Sequence, residues 1–134
     1  MLRITLRDGE KAIINGAVIQ SVGRTQLAIE NRVAILRGRE VMRPEEATTP
    51  ARQLYLACQL AYIDPDGREE HQEAVIAALK SAMDRLNSAE AKGACVQFAR
   101  DIAAGAYYRA LAAARNVIAF ENAESAPHQA AQAG

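Results

Sequence analysis

Tryptophan is absent from this chain, and its four tyrosines and two phenylalanines all lie beyond the first 42 residues. A strand-forming segment without rings excludes the RNA-recognition platforms that stack bases on aromatic side chains, the standard oligonucleotide-binding barrel among them. Cysteine is as scarce. Cys58 and Cys95 stand far apart among alanines, form no Cys-x-x-Cys, and read as buried free thiols of a reducing compartment. His71 sits in a Glu-rich helical start and His128 near the end of the chain, neither with a companion at metal-ligand spacing. No apolar run approaches the roughly 18 residues of a membrane span, and the N-terminus lacks a secretory signal pattern, so a soluble, cytoplasmic protein is expected. The chain contains no Gly-rich phosphate loop and no nucleophile elbow. Glu69, Glu70 and Glu73 read as a solvated helix face rather than an acid–base pair, so neither catalysis nor a cofactor is expected.

What is present suits one globular domain: 134 residues, half of them apolar and about a quarter charged. The zero net charge hides an asymmetry. Residues 1–43 carry Arg3, Arg7, Lys11, Arg24, Arg32, Arg37, Arg39 and Arg43 against only Asp8, Glu10, Glu30 and Glu40, so the remainder is equally negative. A basic half beside an acidic half points to a polyanionic partner, to self-association, or to both.

The basic half reads as short strands. Leu2, Ile4 and Leu6 alternate with Arg3, Thr5 and Arg7, and Asp8-Gly9 turns the chain into Ala12–Ile14. Asn15-Gly16 is a strong hairpin signal, since both central residues of a type I′ turn need positive φ. Strands are expected over Ala17–Val22, Gln26–Ile29 and Val33–Leu36, with a short one over Arg39–Met42. Edges of such a small antiparallel sheet or partial barrel must be covered or paired with a second copy, so homo-oligomerisation through sheet edges is expected.

The acidic half reads as about four helices, giving an α+β fold in one domain over residues 1–122, with 1–43 β-rich and 44–122 helical. After a turn at Pro44-Glu45-Glu46, Thr49 caps a helix starting at Pro50, with Leu54, Cys58, Ala61 and Tyr62 on one face. Arg52, a cation in that first turn, either pairs with Glu45 or Glu46 or continues the basic surface. Asp64-Pro65-Asp66-Gly67 is a turn and not a calcium loop, because Val75 stands where a bidentate Glu is required. The second helix spans about Glu69–Asn87 with Val75, Ile76, Leu79, Met83 and Leu86 inward. A third spans Ala89–Ala104 around Cys95, Phe98, Ala99 and Ile102. The fourth begins after Gly105 and runs to about Asn122 on Tyr107, Leu111, Ala114 and Ile118. Residues 123–134, rich in Ala and Gln with Pro127, are expected to form a disordered tail.

Arginines on the open strand faces suit bidentate phosphate and base-edge contacts, and Arg3, Arg7, Arg24, Arg37, Arg39 and Arg52 are the candidate RNA-binding residues. The competing reading is that they only neutralise the helical half. Gly9-Glu10-Lys11, Asn15-Gly16-Ala17-Val18, Thr49-Pro50-Ala51-Arg52 with Tyr55 and Tyr62, and Tyr107-Tyr108-Arg109-Ala110-Leu111 with Arg115, Ile118 and Glu121 together resemble the FlbT family. The resemblance spans Leu2 to about Glu121. It implies a post-transcriptional regulator of flagellum biogenesis that associates with the 5′ untranslated region of flagellin mRNA, promotes its decay or blocks its translation, and acts alongside FlaF. The sheet alone is similar to the CsrA family of mRNA regulators, in Met1-Leu2 through Gly9-Glu10 and in Val33-Ala34-Ile35 with Arg37. That likeness favours Arg7 and Arg37, although Leu6 stands where the CsrA pattern has an arginine. An alternative is a protein-interaction adaptor, in which Tyr108 and Arg115 belong to a surface for FlaF or flagellin and any effect on mRNA is indirect.

Overall fold

The computed structural model describes the backbone of residues 1–133 and the side chains of residues 1–125. Five strands come first: β1 Leu2–Leu6, β2 Lys11–Ile14, β3 Ala17–Gln20, β4 Thr25–Ile29 and β5 Ile35–Arg37. They form two small antiparallel sheets instead of one, a β1–β4 ribbon and a β3-β2-β5 sheet. Four helices follow, α1 Pro50–Ile63, α2 Arg68–Arg85, α3 Ala89–Ala103 and α4 Tyr107–Ala133, so the fold is α+β as expected.

Strand β2 holds the two parts together because neighbouring residues of a strand face opposite sides. Ala12 joins Ile4, Leu6 and Leu27 in a small apolar cluster under the ribbon, while Ile13 belongs with Leu36 to the main core shared with the helices. The β2–β3 hairpin turns on Asn15 and Gly16, whose φ values of 51° and 82° are those the type I′ reading requires.

Alanine sets the helix packing. Ala51, Ala57 and Ala61 of α1, Ala78 and Ala82 of α2, and Ala110, Ala113 and Ala114 of α4 are all buried, so backbones approach closely around Leu54, Val75, Phe98, Leu111 and Val117. Removing a ring such as that of Phe98 from this core costs about 3–5 kcal/mol. Helix α1 packs on α2 and α4, and α3 on α4, whereas α2 and α3 barely touch. Ile76 is exposed, a correction to its expected inward position, while Val75 and Leu86 are buried and Leu79 and Met83 half-buried. Both cysteines are buried and free.

Four further expectations about the elements differ from what is observed. β3 ends at Gln20 and β5 is shifted to Ile35–Arg37. No strand forms over Arg39–Met42: Gly38, at φ 55°, turns the chain into a 3-10 turn over Gly38–Glu40. Met42 finds its partner in a side chain, donating from its N–H to Gln59 Oε1 at 2.8 Å and accepting from Gln59 Nε2 at 2.9 Å. Finally, α4 does not stop near Asn122 but runs to Ala133, and Glu124 within it caps the start of α3. The side chains of 126–134, His128 included, lie outside the described residues.

Candidate nucleic-acid interface

Three Arg-x-x-Glu turns shape the basic half, at Arg7–Glu10, Arg37–Glu40 and Arg43–Glu46. In each, the glutamate carboxylate accepts a hydrogen bond from the backbone N–H of its arginine, at 3.0, 3.2 and 3.0 Å. This is one half of a capping box applied to a tight turn. Its electrostatic effect is to spend the carboxylate on backbone. Glu10 and Glu46 are both held below the usual carboxylate range, first by that N–H and then by neighbouring guanidinium groups.

The arginines differ in what is left for a ligand. Along β1, Arg3, Thr5 and Arg7 share one face, opposite Ile4 and Leu6 in the small cluster. Arg3 lies beside Gln26 and Ala28 of β4, which belong to the same face of the ribbon. At the end of β1, Arg7 borders two adjoining open depressions. One of about 540 Å³ is walled by Glu10, Arg37, Gly38 and Arg39; the other is formed with Thr5, Asp8 and Arg24. Arg24 is brought there by its turn, in which Asp8 Oδ1 accepts from Gly23 N at 2.8 Å and Ser21 Oγ donates to the Gly23 carbonyl. Arg3, Arg7, Arg24 and Arg39 are exposed, and among the described residues no carboxylate pairs with any of them.

Arg37 is different. Its Nη2 donates to the Thr5 carbonyl at 2.6 Å and its Nε lies 3.5 Å from Glu10 Oε2, so the guanidinium joins the central sheet to the ribbon. Arg52 belongs to another part of the molecule, the first turn of α1. It donates to Thr48 Oγ1 at 3.5 Å and to Asn122 Oδ1 at 3.3 Å, and it pairs with neither Glu45 nor Glu46.

Tyr108 and Arg115 meet at a second polar cluster, where the β half rests on the helices. The Tyr108 hydroxyl donates to Glu40 Oε2, whose hydrogen bond and proximity push the phenol up to about 12. Arg115 Nη2 lies 3.2 Å from the Tyr55 hydroxyl and 3.8 Å from Glu40 Oε2, while the Tyr55 hydroxyl donates to the Glu40 carbonyl at 2.7 Å. The rings of Tyr62 and Tyr108 are tilted at 44° with centroids 5.8 Å apart, and the Tyr108 side of that pair remains 52% exposed.

Sequence reasoning overlooked Glu10 and Glu40, which organise both clusters. The recurring Arg-x-x-Glu spacing was the available signal. Among the described residues, no three His, Cys, Asp or Glu side chains gather as a metal site, and no helix is long and apolar enough to cross a membrane.

Comparison with known proteins places the chain in a family. Residues 2–124 match the family described as flagellar protein FlbT. The chain is 32% identical over 122 residues to the flagellum biosynthesis repressor protein FlbT of Caulobacter vibrioides (strain ATCC 19089 / CIP 103742 / CB 15), covering 90% of this chain and 86% of that protein. It is 33% identical over 120 residues to a probable flagellum biosynthesis repressor protein FlbT of Agrobacterium fabrum, covering 90% and 80%. A third relative, the protein of the same description from Allorhizobium ampelinum, is 34% identical over 135 residues, covering 94% and 88%. No solved structure matches the chain. A match across both the basic strands and the helices, and so across both clusters, makes this chain a member of the FlbT family.

Proposed function

We propose that the protein is a repressor of flagellum biosynthesis that works post-transcriptionally, binding the 5′ untranslated region of flagellin mRNA through Arg3, Arg7, Arg24 and Arg39 and so promoting decay of the message or blocking its translation. The repressor role follows the names its relatives carry. The observation supporting the RNA contact is that these four exposed guanidinium groups keep no carboxylate partner, while nearby Glu10 and Glu40 are turned onto backbone N–H groups. Lacking rings, the ribbon holds a strand by guanidinium–phosphate and guanidinium–base-edge contacts. Arg37 acts here as a positioning residue, fixing β1 against the central sheet.

The test is a salt series. Four phosphates neutralised on a single strand give a log–log slope of about −3, and each Arg→Ala change among the four reduces it by about 0.7. A flat response, or Arg7→Ala and Arg24→Ala proteins binding a flagellin leader transcript like the parent, overturns the proposal.

A second reading has its own observation. The half-exposed Tyr108 ring, beside Arg115, offers an aromatic–arginine pair of the kind enriched at protein interfaces, here for FlaF or flagellin. Co-purification with and without ribonuclease separates the two: complexes surviving the nuclease favour the adaptor, and their loss favours an RNA tether.

A further inference from the structure

The two outer edges of the central sheet are treated differently. In an antiparallel ladder, alternate residues of an edge strand point their N–H and C=O groups outward. On the β5 side, Asn15 N bonds to the Ala34 carbonyl at 2.8 Å, which sets the alternation so that Ile35 and Arg37 point their N–H groups away from β2. Both are satisfied by side chains: Ile35 N donates to the Tyr62 hydroxyl at 3.2 Å, and Arg37 N to Glu40 Oε1 at 3.2 Å. The outward N–H groups of that edge are thus already taken.

On the β3 side, Ser21 N bonds to the Glu10 carbonyl at 3.0 Å, and the same alternation turns the N–H and C=O groups of Val18 and Gln20 outward. Among the described residues nothing accepts or donates there. None of the usual guards of an open edge is present either. From Ala12 to Gly23 there is no charged residue and no proline. All four residues of β3 are exposed, Val18 at 69%, and Val22 beyond them stands 94% exposed.

We infer that β3 pairs antiparallel with β3 of a second copy of this chain, across a two-fold axis at Ile19, joining the two central sheets into one continuous sheet. The register follows from which groups are free. Val18 of one copy exchanges both backbone hydrogen bonds with Gln20 of the other, and Ile19 faces its own counterpart as a non-hydrogen-bonded pair. A second copy fits because the free groups are self-complementary about Ile19 and the span is uncharged: Ala17 meets Ser21 and Gly16 meets Val22, so symmetric pairing opposes no like charges, as a lysine or glutamate in the place of Ile19 would do. The inference is independent of the RNA reading, since no arginine of the proposed interface takes part.

Two measurements on the full chain test it. By light scattering on a sizing column, the parent runs at twice 14.5 kDa, and Val18→Lys, which places two like charges at the pairing, runs at 14.5 kDa with an unchanged circular dichroism spectrum. The second measurement fixes the register and holds even if that variant folds poorly. Cα atoms of a non-hydrogen-bonded pair lie about 4.5 Å apart, within the reach of a disulfide. Ile19→Cys therefore cross-links under mild oxidation, while Val22→Cys, more exposed but opposite Gly16, does not; Cys58 and Cys95 are buried and do not compete. A parent that stays at 14.5 kDa at the highest concentration it tolerates overturns the inference and leaves the edge to a strand of another protein. Equal cross-linking at both positions overturns it as well.

Discussion

The guanidinium of Arg37 reaches the carbonyl of Thr5 at 2.6 Å, a hydrogen bond spanning 32 residues that ties the β1–β4 ribbon to the central sheet. Arg37 and Ala12 are register partners, and both face the ribbon from the sheet below it. Arg37 thus lies, partly exposed, between the sheet and the ribbon. Its charge is answered by Glu10 at 3.5 Å.

From this contact follows a separation of effects between two arginines that look alike in sequence. Arg37→Ala loses a charge-assisted hydrogen bond that is partly exposed, costing about 1 kcal/mol and about 4 °C in melting temperature. On the proposed RNA reading its binding to a flagellin leader weakens as well, because β1 is no longer held. Arg7→Ala melts like the parent and loses binding alone. Thermal melts beside RNA titrations check the pair; an Arg37→Ala protein as stable as the parent shows that the Thr5 contact carries nothing.

Gln59 supplies a second prediction. The residue is 3% exposed, and its side-chain amide pairs with both the N–H and the carbonyl of Met42, doing for that residue what a neighbouring strand would have done. Gln59→Leu keeps the volume but strips both partners from the backbone, at a cost of about 2 kcal/mol in urea unfolding. Gln59→Glu keeps an acceptor for the Met42 N–H but sets a carboxylate oxygen against the Met42 carbonyl and buries a charge, so at neutral pH it recovers nothing over the Leu variant. A Leu variant as stable as the parent means that water replaces the amide.

Most of the fold was legible because it rests on local periodicity. Ile4 and Leu6 mark the buried side of β1, although Leu2 at its start is exposed, Asn15-Gly16 marks the β2–β3 hairpin turn, and Thr49-Pro50 marks the start of α1. The division into two sheets was not legible, since it depends on Ala12 and Ile13 serving different neighbours, and no pattern within β2 announces that. The strand expected over Arg39–Met42 fails for a related reason: Gln59, seventeen residues on, supplies the pairing that Met42 would have sought from a neighbouring strand. Arg37 shows the limit at the candidate site. Charge and strand position are the same for Arg7 and Arg37, and only the tertiary approach of Thr5 and Glu10 separates a free guanidinium from a committed one.

The Tyr108–Glu40 contact gives a prediction in alkali. With the hydrogen bond to Glu40 as the main cause, the phenol is pushed up to about 12 from an ordinary value of 10.0. The folded protein therefore holds this proton more tightly than the unfolded chain does. The resulting stability is fully present below pH 10 and is lost as the pH rises toward 12. Tyr108→Phe removes that dependence, so the gap between parent and variant narrows across this range in denaturant midpoints. A gap constant from pH 8 to 12 contradicts the assignment.

The last prediction concerns acid and the far part of α4. Glu124 accepts hydrogen bonds from Ser88 N at 2.9 Å and from Asn87 N at 3.1 and 3.2 Å, so its carboxylate sits at the N-terminus of α3, where Ser88 Oγ also caps Ala91 N at 3.0 Å. Those N–H groups, that of Ser88 foremost, hold the carboxyl below its ordinary 4.5, and the helix dipole favours the same charged form. A group whose value is depressed by folding stabilises the fold above its unfolded value and ceases to do so as the pH falls through its folded one. Glu124→Gln keeps an acceptor but no charge. The variant is therefore less stable than the parent at neutral pH, and the two converge as urea midpoints are followed from pH 7 down to 3. Lines that stay parallel over that range indicate that the charge of Glu124 is not what fastens α4 to the start of α3.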